Sequence, residues 1–183
     1  MEEKENKVQV ITRTGVLIAL LVAVQWITGF TKPFAGQYIT GSCVNCILVV
    51  SALMAGLWSG AAVAVLSPFC AFFLGIGPGL LQVVPAIALG NCALVVLGWL
   101  LLGRREAAPV QKAICVAVMA LIKFIVLYCA VVKVLIPVMG PALPAKQAAV
   151  LTVMFSWPQL VTALIGSALA VLLVPVLKKA VKK

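Results

Sequence analysis

The sequence contains no histidine and no aspartate, and its only acidic residues are Glu2, Glu3, Glu5 and Glu106. Proton relays in carriers, and the acid and base groups of membrane hydrolases, are commonly carboxylates or histidines held inside the bilayer. All four glutamates fall outside any plausible span, so neither chemistry has its residues here. A nucleotide-hydrolysing engine is excluded as well, because no glycine-rich stretch ends in Lys-Ser or Lys-Thr. Any uphill transport therefore draws its energy from another subunit. Metal or redox chemistry is poorly provided: Cys43 and Cys46 form a CxxC, but no second pair and no histidine accompany it. These and the cysteines at 70, 92, 115 and 129 read as packing residues. No catalytic residue, metal ligand or cofactor is expected.

What the chain has in abundance is apolar surface: of its 183 residues 64% are hydrophobic and only 10% are charged. A hydrocarbon core of about 30 Å takes about 20 apolar residues per helix, so a chain of this length supplies six spans and little else. The expected fold is an all-α integral membrane protein, a six-transmembrane-helix bundle forming a single transmembrane domain over residues 1–183. The helices are predicted at about 11–30, 39–57, 60–75, 80–102, 113–136 and 147–177. Pro68 falls inside the third, the glycine-rich run 75–79 separates the third from the fourth, and Pro158 predicts a kink in the sixth. The N-terminus is too acidic for a typical signal peptide and the first apolar run ends without a small-residue cleavage pattern, so that run reads as the first helix.

The net charge of +10 would suggest nucleic acid in a water-soluble protein, but here it is a topology signal. With six alternating spans, Lys4, Lys7, Arg13, Arg104, Arg105, Lys112, Lys178, Lys179, Lys182 and Lys183 share one side, and only Lys32 and Lys146 lie on the other. Both termini are accordingly expected in the cytoplasm, with the protein a multi-pass component of the bacterial cytoplasmic membrane. Nucleic-acid binding is rejected.

Polar residues inside the spans gather in one layer. Lys123 lies eleven residues past Lys112, roughly 16 Å along a helix and close to the midplane. Gln25, Asn45 and Asn91 fall in the outer half or near the middle, and Gln159 sits at the depth of Lys123 with Thr162 and Gly166 on its face. Five helices thus deliver amide or ammonium groups to one level, where each would be costly facing lipid. They are expected to converge on an internal cavity, although the amides could serve as interhelical hydrogen bonds alone. No carboxylate can pair with Lys123 within the membrane. It must snorkel, bind carbonyls, give up its charge or meet an anionic ligand, and the ligand is the favoured reading. Lys133, nearer the surface, can snorkel. Trp26, Tyr38 and Trp157 lie toward the outer half, as interface anchors or as platforms for a planar ligand. The segment 31–40 has the composition of a loop and could act as a lid over the outer mouth.

Gly15, Ala19 and Ala23 recur at intervals of four along the first helix, a stripe that lets another helix approach closely, whether from this chain or from another subunit. Taken with six helices in under 190 residues and no ATP site, this stripe resembles the substrate-binding S component of energy-coupling factor transporters. The family's helix 1 motif, Ala-x-x-x-Ala, is matched by Ala19-Leu-Leu-Val-Ala23. Segments such as Ile39-Thr-Gly-Ser-Cys-Val-Asn45, Leu66-Ser-Pro-Phe69 and Trp157-Pro-Gln-Leu160 add to the likeness.

The resemblance implies capture of a vitamin-like micronutrient in the outer half, docking of the first helix on a transmembrane coupling subunit, and two cytoplasmic ATPases that topple the loaded subunit. It also gives the segment 31–40 the role of a gate. The binding residues follow from depth and polarity rather than from the family: Gln25, Trp26, Tyr38, Asn45, Asn91, Lys123, Trp157, Gln159 and Thr162. Such a set suits a small, partly planar molecule bearing a carboxylate or other anionic group, and a thiamine-like cation fits less well because no acidic residue could pair with it. Two other readings are open: a stand-alone facilitator or small secondary carrier, and an accessory membrane subunit that binds no small molecule.

Overall fold

In the computed structural model, which describes residues 7–29, 33–103 and 108–181, every regular element is helical. Helices α1 (Lys7–Gly29), α2 (Pro33–Met54) and α3 (Gly56–Phe73) follow one another, the last two separated by Ala55 alone. A glycine-rich turn and a short 3-10 turn at Leu81–Val83 lead into α4 (Val84–Leu102). Helix α5 (Pro109–Leu127) runs on through a π-helical stretch, Tyr128–Leu135, into α6 (Ile136–Met139). The last span is divided into α7 (Ala145–Met154) and α8 (Trp157–Val181). Six stretches are long and apolar enough to cross a bilayer, so the chain is an all-α integral membrane protein.

Two local readings of the sequence are corrected. The segment 31–40 is mainly helix rather than loop, since α2 begins at Pro33 and carries Gln37, Tyr38 and Thr40 in its first turns. Proline is favoured at a helix start because its missing N–H is an orphan there and its φ suits the first turn. Thr31 and Lys32 lie outside the described residues, as do Lys4, Arg104, Arg105, Lys182 and Lys183. The kink expected at Pro158 is a full interruption at Phe155 and Ser156. In a continuous helix the Met154 carbonyl would accept from the N–H of residue 158, which proline lacks, and the proline ring would crowd that carbonyl.

Helix α2 occupies the centre, packed on α1, α3, α4 and α8, while α8 also packs on α5. In the half of the bundle nearer the termini the interior is solid, with Leu48, Val49, Val63, Leu94, Val95 and Met119 fully buried. Outward-facing apolar side chains such as Trp58, Phe73, Leu89 and Leu172 remain exposed, as suits a surface bathed in lipid. The contact between α2 and α8 is unusually close at Gly166, where an added Cβ would lie 2.5 Å from both Asn45 Cβ and the Ser42 carbonyl. Only glycine lets the two backbones meet there.

Candidate functional site

At the end of the bundle remote from both termini the helices separate around a cavity of about 610 Å³, within the range of about 300–1,000 Å³ usual for small-molecule sites. Its floor is polar. Asn45 comes from α2, Asn91 from α4 and Lys123 from α5, and these side chains are 1%, 3% and 3% exposed. Lys123 Nζ donates to Asn45 Oδ1 at 2.5 Å and to Asn91 Oδ1 at 2.7 Å. Asn45 Nδ2 in turn points to Thr162 Oγ1 on α8 at 3.4 Å. One amino group is thus held between two amide oxygens, tying four spans together at one level, and the described residues include no acidic side chain beside it.

The walls are largely apolar, with Phe72, Ile87, Val153 and Phe155 among the lining residues. Near the broken last span two glutamines converge on one atom. Gln37 Nε2 donates to the Met154 carbonyl at 2.8 Å and Gln159 Nε2 to the same carbonyl at 3.0 Å. They satisfy the acceptor that Pro158 leaves without its helical partner. On the opposite side Thr40 donates to Thr28 at 2.7 Å, joining α2 to α1. Gln25, 9% exposed, also lines the cavity, and its Oε1 has no hydrogen-bond partner among the described residues.

Of the residues singled out from the sequence, Gln25, Asn45, Asn91, Lys123, Gln159 and Thr162 are brought to this one cavity. Trp26, Tyr38 and Trp157 are not among its lining residues. Trp26 and Trp157 are 55% and 60% exposed, and Tyr38 packs against Trp157 with ring centroids 5.9 Å apart. The sequence reading missed Gln37, Thr28 and Thr40, which line the cavity from the ends of α1 and α2. Gln37 was hidden by the loop-like composition around it. Lys133 is exposed and lies 5.7 Å from the centre of the Tyr128 ring, away from the floor.

A family model described as ECF transporter, substrate-specific component, matches residues 9–178. The chain belongs to this family. It is therefore a membrane transport subunit of the substrate-binding kind, and the match runs through all six spans and every lining residue of the cavity. Comparison with curated proteins gave no match. Comparison with solved structures likewise gave none. For a substrate-specific component, a cavity with a polar floor and apolar walls is a suitable place to hold a small molecule.

Proposed function

We propose that this substrate-specific component captures a small, vitamin-like micronutrient, anionic or zwitterionic, in the cavity floored by Asn45, Asn91 and Lys123. The single observation that carries this reading is the buried ammonium of Lys123, bonded to two amides and lacking any acidic partner among the described residues. A buried charge normally has a counter-charge, and a bound anion would supply it. Gln25, Gln159 and Thr162 complete the polar lining in this reading, while Trp26, Tyr38 and Trp157 flank its mouth.

The distribution of basic residues favours cytoplasmic termini, which would open the cavity toward the outside of a bacterial cytoplasmic membrane. Gly15, Ala19 and Ala23 would dock on the transmembrane coupling subunit, itself driven by two ATPases. In support, all three residues are exposed on α1, and an added Cβ at Gly15 would meet nothing within 4 Å. The stripe is left uncovered by the other helices of this chain. In this reading residues 1–183 act as a single transmembrane domain.

Native mass spectrometry of the detergent-purified chain, expressed in rich medium, tests the capture. A small molecule that accompanies the wild type and is lost from Lys123→Ala is the expected result. An empty wild-type cavity would count against capture.

A further inference from the structure

The hydrogen bonds of Lys123 determine more than its own position. Because both asparagine Oδ1 atoms face the ammonium, each amide must turn its Nδ2 the other way. Asn45 Nδ2 is directed to Thr162 Oγ1. Asn91 Nδ2 donates to none of the described residues, and Asn91 lines the cavity. An ammonium carries three N–H groups, and two of those of Lys123 are engaged by the asparagines. What remains at the floor is therefore a set of donors: the third N–H of Lys123 and the amide of Asn91. Both floor carbonyl oxygens already face and accept from Lys123, and no acidic side chain stands among the described residues.

We propose that the substrate is a net monoanion whose carboxylate rests on this floor, one oxygen on Lys123 Nζ and the other on Asn91 Nδ2, with its apolar body against Phe72, Ile87 and Val153. The inference rests on the capture reading above and narrows it. At the floor a cation would face only donors and the Lys123 amino group, with the open acceptor of the cavity, Gln25 Oε1, standing apart on the wall. A carboxamide would turn one oxygen and one NH₂ toward two donors, leaving its own N–H groups without acceptors at the floor. A carboxylate is acceptor-only, as the floor requires, and charge-assisted bonds to it are the stronger kind. It would also supply the counter-charge that the chain itself lacks.

Three aromatic probes of similar size separate these cases: benzoate, benzamide and benzylamine. Each is added to purified protein while thermal unfolding is followed, and the molecules extracted from the wild type are identified by mass spectrometry. Benzoate is expected to raise the unfolding midpoint with an apparent affinity about 10-fold or more above that of benzamide, with no response to benzylamine. The extracted molecule is expected to carry a carboxylate. Asn91→Asp keeps an acceptor for Lys123 but builds the counter-ion into the chain and removes the free amide, so it should remain folded and lose both the benzoate response and the extracted molecule. Lys123→Gln, which can still donate to the asparagines without a charge, should lose them too and serves if Asn91→Asp does not fold.

Equal stabilisation by benzamide or benzylamine, or undiminished retention of the carboxylate by either variant, would overturn the assignment. A cation or a neutral molecule in the wild-type extract would overturn it while leaving the capture reading intact. An empty extract with no response to any probe would overturn the capture reading itself.

Discussion

Gln37, in the second turn of α2, donates through Nε2 to the carbonyl of Met154, the last residue of α7, across 117 positions of sequence. That carbonyl is free only because residue 158 is proline. Pro158→Ala would return an N–H to the position from which Met154 is normally served, in competition with Gln37 and Gln159. We expect α7 and α8 to straighten into one helix and the wall carrying Val150 and Val153 to move away from the cavity. Titration of the co-purifying molecule should show binding weakened by about 10-fold or more, the scale of losing the burial of one apolar side chain against the ligand, while the unfolding midpoint holds or rises. Unchanged affinity would mean that the interruption of the last span has no bearing on the site.

The asparagine at position 45 is the hub of the floor, accepting from Lys123 and donating to Thr162. Asn45→Leu is close in size but leaves the ammonium with one amide oxygen instead of two. A loss of about 1.5–3 kcal/mol in stability is expected for removing a hydrogen-bond partner from a charged group. Thermal unfolding in detergent checks it, and a midpoint equal to that of the wild type would show that Lys123 does not depend on Asn45.

Gly166 and Gly15 should respond oppositely to the same change. At Gly166 a methyl group would meet Asn45 Cβ, the Ser42 carbonyl and, at 2.9 Å, the Cys46 nitrogen, none of which can swing aside. Gly166→Ala is expected to cost about 1–3 kcal/mol as an overpacked contact and to weaken ligand retention by pushing α8 off α2. Gly15→Ala has open space around it and should stabilise α1 by about 0.5–1 kcal/mol through helix propensity. The pair of midpoints decides whether the α2–α8 contact is as tight as described.

Ala19 is exposed on α1, so Ala19→Trp should leave both the unfolding midpoint and ligand retention of the isolated chain unchanged. If the stripe is the docking face, the same substitution should abolish co-purification with the coupling subunit and its ATPases. Retained assembly would direct attention to another face of the bundle.

The helices that cross the membrane were legible because long apolar runs bounded by glycine, proline and basic residues have few other uses. The polar layer was legible too, since a rise per residue and a counting origin at Lys112 suffice to set depth. What the sequence concealed are features that depend on partners. Pro33 and Gly36 have loop-like composition, yet proline starts a helix comfortably, so Gln37 was not recognised as a lining residue. Nothing in the string indicates that Asn45 and Asn91 both turn their oxygens to Lys123, because that choice is made by the packing of α2, α4 and α5 around one another. For Trp26 and Trp157 the sequence offers a depth alone, and depth says nothing of which way a helix face is turned.

Helix α7 is ten residues long, and Leu151 is its one buried residue. Such an element contributes little to the cooperative core, and it joins α8 through an interruption whose carbonyl is held by two side chains rather than by the helix ladder. Segments of this kind open by local unfolding at a fraction of the global free energy. Amides of α7 should accordingly exchange with solvent deuterium well before those of α2 and α4, one wall of the cavity fraying while the floor of Asn45, Asn91 and Lys123 stays assembled.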